Sequence, residues 1–451
     1  MSSVLCLDFG TSSIRAVLRN RESTIQVLPI GQVTPRQTID GASIPSAFCI
    51  DEDLETIRFG QHALDAILSG KKLAFSETSP KHWLAEPRHL GQPLIPNLPI
   101  NRRDVLAGLM GYALFAAGES GLWEIPEDPE QADIRIAHPV WPSTIREDAD
   151  LSLAQIAWMA VNMASEGDWG VSSIDVLCSW TTPADESESR PALKIIKDTI
   201  EPIAAAVELL PSLGNERRIC MVVDVGAGTT DIGIFQYLSP DIKANKGDRV
   251  IPAGPATSVF KAGDEIDRVL LKLMNDEDSV TFKSNLTRIK SEIRFHKERL
   301  FRDGRIEVAG INVSLTTLEN ADAIRLMTSS IRQGIENCLI TAHANISSFT
   351  STAGLANDIA VVMAGGGSEM QFLREALGKP LLVQGTNFNF NFITTETPNR
   401  LNMHGAGYAR MAVGLGGAQE SYEKVVQEHE KLVRLSSLGA PKQKISPWSA
   451  K

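Results

Sequence analysis

Residues 221–235, MVVDVGAGTTDIGIF, constrain the fold more than any other stretch. An apolar run breaks at a Gly-x-Gly-Thr turn set between two aspartates and then resumes, which predicts a strand–turn–strand. Gly226 and Gly228 let the backbone approach a ligand closely, and successive N–H groups in such a turn form a concave anion site. Asp224 and Asp231 cannot face phosphates unless a cation or a hydrogen-bond donor intervenes, so the pair points to a hydrated Mg²⁺. Taken alone, the pattern is also that of a plain hairpin with a glycine turn. The first element of the chain repeats the grammar: residues 4–18, VLCLDFGTSSIRAVL, again give an apolar strand, an Asp-x-Gly-Thr turn with hydroxyls, and an apolar strand. Two copies of one device predict two lobes, each gripping one side of a nucleotide.

A chain of 451 residues has room for two or more domains. Its formal charge of −11, without a long basic run, argues against direct nucleic-acid binding and against an anionic membrane surface as partner. Cys6, Cys49, Cys178, Cys220 and Cys338 are dispersed, mostly in apolar runs, so they read as reduced core residues, and no close pairs offer a zinc site. The N-terminus enters a strand directly and no run of about eighteen apolar residues exists, which makes the cytoplasm the expected location.

Between the two hairpins the pattern predicts a strand over Ala42–Asp51, a helix in Phe59–Leu68, and an irregular, proline-rich segment from Glu77 to Ile100. A helix over Arg103–Gly118 capped by Asn101, a strand over Ala132–Val140, a helix over Leu151–Ala164 and a strand over Val171–Trp180 follow. Lys194–Leu210 reads as a helix in which Pro202 marks a start or a kink. Beyond the second hairpin come helices over Lys261–Met274 and Ser284–Leu300, a surface strand over Arg305–Ser314, and a long amphipathic helix over Asn320–Ser347. A buried strand over Ile359–Gly367 leads to a helix over Glu369–Leu377, a small-residue helix over Gly405–Leu415 fit for close packing, a polar helix over Glu420–Ser436, and a disordered tail from Gly439. Strands alternating with helices indicate an α/β protein.

Five segments in order resemble the actin-like ATPases: Asp8–Ser13 as first phosphate hairpin, Glu201–Ala206 as connecting glutamate motif, Asp224–Asp231 as second hairpin, Gly263–Asp267 as helix start, and Gly365–Gly367 as adenosine glycines. Within that superfamily the ATPase domain of the seventy-kilodalton heat-shock chaperones is most similar, because Ile44–Phe48, Gly60–Ala63 and Ile136–Trp141 also resemble its segments. The resemblance covers about residues 4–415 and implies two lobes, each built on a ribonuclease-H-like mixed sheet with flanking helices, with the nucleotide in the cleft between. The implied division is 1–218 for lobe I, with a subdomain at about 41–102, and 219–400 for lobe II, with a subdomain at about 263–320; a return helix at 401–417 and a C-terminal helix and tail at 418–451 complete it. Thirty-six residues follow Leu415, too few for the chaperones' substrate-binding domain, and Glu369 follows the glycines where those chaperones carry an arginine.

Carried over residue by residue, the resemblance implies ATP or ADP with Mg²⁺, the ion held through water by Asp8 and Asp224. Gly10, Thr11, Ser12 and Ser13 would take one side of the phosphates, and Gly226, Ala227, Gly228, Thr229 and Thr230 the other. Glu201 would orient the attacking water, with Asp231 as the alternative, and Lys81 would approach the γ-phosphate. Gly263, Glu292, Phe295, Gly365, Gly366, Gly367 and Ser368 would line the nucleoside side, Phe295 either stacking on the base or serving the core. The implied activity is a slow ATPase switch signalling to a cytoplasmic protein partner. A nucleotide-dependent polymerising protein, a small-molecule kinase and a nucleotide-binding pseudo-enzyme are the alternatives.

Overall fold

The computed structural model describes residues 3–32, 41–124, 133–164, 170–181, 196–213, 217–238, 249–353, 356–398, 401 and 406–439. The first half opens with strands β1 (Val4–Phe9), β2 (Ser13–Arg19), β3 (Ile25–Val27), β4 (Ser43–Pro45), β5 (Phe48–Asp51) and β6 (Thr56–Phe59), helix α1 (Gly60–Leu68) and strand β7 (Leu73–Glu77). Helix α2 (Arg102–Glu119), strand β8 (Ile134–His138), helix α3 (Arg146–Ala164), strand β9 (Val171–Ser173), helix α4 (Ile174–Thr181) and strand β10 (Ile196–Ile200) complete it. Helix α5 (Glu201–Leu209) leads to β11 (Arg218–Val225), β12 (Thr230–Leu238), β13 (Arg249–Pro252), β14 (Thr257–Val259) and helices α6 (Gly263–Glu277), α7 (Ser279–Ser284), α8 (Leu286–Ser291) and α9 (Ile293–Asp303). Then come β15 (Arg305–Val308), β16 (Ile311–Ser314), α10 (Leu315–Glu319), α11 (Asp322–Ala353), β17 (Asp358–Ala364), α12 (Gln371–Leu377), β18 (Leu381–Val383), β19 (Thr386–Phe392), α13 (Ala406–Ala418) and α14 (Ser421–Gly439).

One topology is used twice. The first large sheet runs β10-β8-β1-β2-β3 with β4 also on β2, and the second runs β19-β17-β11-β12-β13 with β14 also on β12 and β18 outside β19. In each, a hairpin pairs antiparallel (β1 with β2, β11 with β12), one strand adds in parallel to its first arm (β8, β17) and a second adds in parallel to that one (β10, β19). Strand β1 is buried along its whole length, and β11 from Ile219 onward, which explains their continuous apolar runs: both faces are covered.

Helix α5 lies on β11 and β12, helix α13 lies on β1 and β2, and the two helices pack on each other. Glycines make that approach possible: a Cβ at Gly416 would strike the Ala204 carbonyl, and one at Gly417 would sit 2.6 Å from Cys6 Sγ. The alanines of Ala204–Ala206 and Ala412 fill the seam with Cys6, Val17, Cys220 and Val222. Each sheet also has its own core on the opposite face, under α2 and α3 in the first half and under α6 and α11 in the second.

Several expectations need correction. Val171–Trp180 is a strand only to Ser173; Ile174 and Leu177, one helical turn apart, are both buried on α4, so the spacing rather than the β-branched content decides. Within Lys194–Leu210, Ile196–Ile200 is strand β10 and the helix starts at Glu201, where Pro202 sits in the first turn and its missing N–H costs no helical bond. Ala42–Asp51 divides at Ser46-Ala47, β4 joining the large sheet while β5 joins the small sheet β7-β5-β6-β9. Ser284–Leu300 falls across three short helices, and Arg305–Ser314 is a hairpin turned at Ala309 and Gly310, both with positive φ, as a tight two-residue β-turn requires. Asn101 does cap α2, in a reciprocal box with Asp104. The tail expected beyond Gly439 lies outside the described residues.

Candidate functional site

The two hairpin turns are built alike. Gly10 N donates to the Ser13 carbonyl at 3.1 Å, and Gly226 N donates to the Thr229 carbonyl at 2.9 Å. At Gly10 a Cβ would stand 2.6 Å from the Ser13 oxygen, so only glycine closes that turn. The amides of Thr11, Ser12, Ala227 and Gly228 donate to no acceptor among the described residues. The turns face one another: a Cβ at Gly228 would lie 3.0 Å from Thr11 Oγ1. Ser46 Oγ braces the first turn by donating to the Gly10 carbonyl at 2.7 Å. The start of α6 braces the second, Gly263 N donating to the Gly226 carbonyl at 3.2 Å and Asp264 N to that of Ala227 at 2.7 Å.

Below the turns four carboxylates converge. Asp8, Glu201, Asp224 and Asp231 are all buried, as is Lys81. Lys81, on the short 3-10 segment Pro80–Ala85, donates to Glu201 Oε1 at 2.5 Å, and Arg15, opposite Asp8 in the β1–β2 register, reaches Asp8 Oδ2 at 3.4 Å. Asp231 accepts from Ser258 Oγ and, at 3.2 Å, from Val140 N, which joins it to the end of β8. The Asp224 carboxylate makes no hydrogen bond or ion pair with any described residue. Burial raises its pKa well above the usual carboxylate range, and the negative charges of Glu201, Asp231 and Asp8 add to that. Burial also raises Asp8 and Glu201, against the pull of Arg15 and Lys81 respectively.

The cleft is a cavity of about 160 Å³ lined on one side by Asp8, Gly10–Ser13, Lys81 and Glu201 and on the other by Asp224, Gly226, Ala227, Thr229, Gly263 and Gly365–Gly367. Gly365 has φ +74°, and a Cβ there would strike Asp224 Oδ1 and the Val225 carbonyl. Gly228 meets Thr11 rather than the cavity, and Thr230 turns its hydroxyl to the Lys261 carbonyl at 2.8 Å. Ser368 is buried outside the lining, its carbonyl accepting from Arg374 at 2.6 Å.

Glu292 and Phe295 do not line the cleft. Glu292 pairs with His296 at 3.4 Å, and Phe295 is half exposed beneath the Arg299 guanidinium. Helix α9 instead turns Arg294, Lys297, Glu298 and Phe301 to the cavity, positions i, i+3, i+4 and i+7 of one face. That stripe is readable in RFHKERLF; its neighbours Glu292 and Phe295 fall off it. Arg294 crosses the cleft, donating to the Ser12 carbonyl at 2.7 Å and to that of Thr78 at 3.1 Å, while Lys297 pairs with Asp267 at 2.7 Å. Arg15 and Arg410 also line the cavity. Arg410, the only charged residue of α13, is the signal that the small-residue helix contains.

No protein-family model matches the chain, and no curated protein matches it. Among the described residues no helix is long and apolar enough to cross a membrane.

Proposed function

We propose that the chain is a nucleoside-triphosphate-binding, slowly hydrolysing conformational switch with the two-lobed actin-like arrangement, similar to a heat-shock chaperone ATPase domain and acting on a protein partner. The observation that carries the reading is the pair of identically closed turns facing each other with unspent amides over an acidic floor. The duplicated sheet topology, with α5 and α13 packed between the sheets, supports the two-lobed reading.

In this reading the amides of Thr11 and Ser12 on one side and of Ala227 on the other bind phosphate oxygens, as backbone nests do. The floor holds two carboxylates more than the cations in contact with it, and Asp224 is buried without a partner, so the residues fit a divalent cation. Asp8 and Asp224 would hold hydrated Mg²⁺, which supplies charge neutralisation to the phosphates. Lys81 occupies Oε1 of Glu201 and leaves Oε2 to accept a hydrogen bond from a water and aim it at the terminal phosphorus. Attack forms the new P–O bond as the bond to the leaving diphosphate breaks, and the glutamate's task is orientation more than proton removal. Arg294 and the Val140–Asp231 bond tie the halves together on either side of the cleft, so a change in phosphate contacts is transmitted to their relative position.

The test is phosphate release from Mg-ATP and Mg-GTP by the purified chain and by Glu201→Gln. Slow release by the wild type that falls at least tenfold in the variant, with binding retained, is expected. Release unaffected by the substitution would remove Glu201 from the reaction.

A further inference from the structure

Five cations line the cleft, and four of them are ion-paired: Arg15 with Asp8, Lys81 with Glu201, Lys297 with Asp267, and Arg410 with Glu298 and Glu369. Arg294 differs, since no carboxylate of a described residue lies within ion-pairing distance of it. Its Nη1 donates to the Ser12 carbonyl at 2.7 Å, and its Nη2 to the Thr78 carbonyl at 3.1 Å and to Ser79 Oγ at 3.5 Å. Nε–H and the second Nη1–H are left without an acceptor among the described residues. Burial outweighs the pull of the more distant Asp267 and Asp264 and holds its pKa below the ordinary guanidinium value. A partly buried guanidinium beside an anion-binding turn, with no counter-charge in contact, is a cation in need of an anion.

Its position decides which part of a nucleotide it would meet. Ser12 belongs to the first turn, and Thr78 and Ser79 directly precede the segment Pro80–Ala85, whose Lys81 rests its ammonium on Glu201. Arg294 therefore stands at the end of the cleft where Glu201 would aim the attacking water. From there the stripe of α9 runs about 10 Å, at 1.5 Å per residue, to Phe301, passing Glu298 with its partner Arg410. A nucleotide laid along that stripe puts its terminal phosphate beside Arg294 and its nucleoside at the far end. We infer that Arg294 reads the terminal phosphate, its two unspent N–H groups donating to γ-phosphoryl oxygens while the Ser12 and Thr78 carbonyls hold the guanidinium in place. A diphosphate ends short of it, so a triphosphate gains charge-assisted hydrogen bonds that the diphosphate lacks. This rests on the nucleotide reading above, is independent of the base, and names the group by which the triphosphate and diphosphate states differ.

The experiment is calorimetric titration of the full chain with Mg-ADP, Mg-GDP and the non-hydrolysable β,γ-imido triphosphates of both nucleosides, repeated with Arg294→Gln and Arg294→Lys. The wild type is expected to bind the triphosphate analogue at least about tenfold more tightly than the diphosphate of the same base. Arg294→Gln is expected to lower triphosphate affinity at least about tenfold and diphosphate affinity less than about threefold. Arg294→Lys, which keeps the charge and loses the planar fork, is expected to fall between the wild type and Arg294→Gln, with thermal midpoints showing that both variants fold. Equal loss of diphosphate and triphosphate in the variants makes Arg294 a tie between the halves and overturns the phosphate contact. So does a wild type that binds diphosphate as tightly as triphosphate, and either result leaves the nucleotide cleft standing. Binding of no nucleotide overturns the cleft as well.

Discussion

Replacing Asp224 by Asn is expected to make the ligand-free protein more stable while removing its response to Mg-nucleotide. Asp224 is 6% exposed, has no partner among the described residues, and lies beside Asp8, Glu201 and Asp231. An uncompensated buried charge costs several kcal/mol, and part of that is relieved by a neutral side chain of the same shape, so a gain of about 2 kcal/mol is expected for the apo protein. Wild type recovers through its ligand: at a free concentration of 100 times Kd, binding adds about 2.7 kcal/mol. The variant, without half of the pair that would hold the cation, should gain almost nothing. The two proteins should then exchange rank, the variant more stable in EDTA and the wild type more stable in saturating Mg-nucleotide. Urea unfolding at pH 8, with and without ligand, reads both differences. A variant less stable than wild type in EDTA, or one that gains as much from ligand, would refute the view that this carboxylate waits for a cation.

Lys81→Ala leaves Glu201 buried without its cation and is expected to destabilise by about 3–5 kcal/mol, whereas Lys81→Ala/Glu201→Ala should recover much of that loss; denaturant unfolding in a double-mutant cycle checks it. Gly228→Val puts side-chain atoms where the turns meet, since even a Cβ would lie 3.0 Å from Thr11 Oγ1, so nucleotide affinity should fall at least tenfold, by about 1.4 kcal/mol or more, as read by calorimetry. Buried His429 accepts from Ala256 N at 3.0 Å, and burial pushes its pKa down to about 4. The unfolded histidine takes up its proton near pH 6.5 and the folded one only near 4, so stability falls as pH drops through that window, by about 2 kcal/mol between pH 7 and 5 from this group. His429→Gln should flatten that part of the urea-midpoint profile.

The hairpins were legible because strand burial, glycine turns and flanking aspartates are local features, and each lies within fifteen consecutive residues. The same locality let Asn101 be read, since a cap is set by its own neighbours, whereas α6 starts at Gly263 with no side-chain cap on Ala262. What joins the hairpins was not legible in the same way. Ile174–Thr181 has the composition of a strand and the spacing of a helix, and the contacts of α4 with α2 and α3 decide between them. Strands β18 and β19 are joined by the two-residue turn Gln384-Gly385, both with positive φ, but the placing of β19 beside β17 is a parallel pairing that no local pattern encodes. At the start of α9 the expected residues missed the stripe that faces the cleft, Glu292 standing two before Arg294 and Phe295 one after it, because a segment that breaks into three helices carries no continuous period from which to count. Arg15 and Arg294 reach the site through pairings over distances a local pattern does not encode: Arg15 across a hairpin, Arg294 across the cleft.

In the proposed switch the two turns grip one polyphosphate together. Amide hydrogen exchange of the full chain, with and without saturating Mg-nucleotide, reads this at Thr11 and Ser12 on one turn and Ala227 on the other, whose amides are unspent and line the cleft. A single ligand is expected to slow exchange at both turns, with the same concentration dependence at each. Protection confined to one turn, or absent from both while the nucleotide is bound, would contradict it.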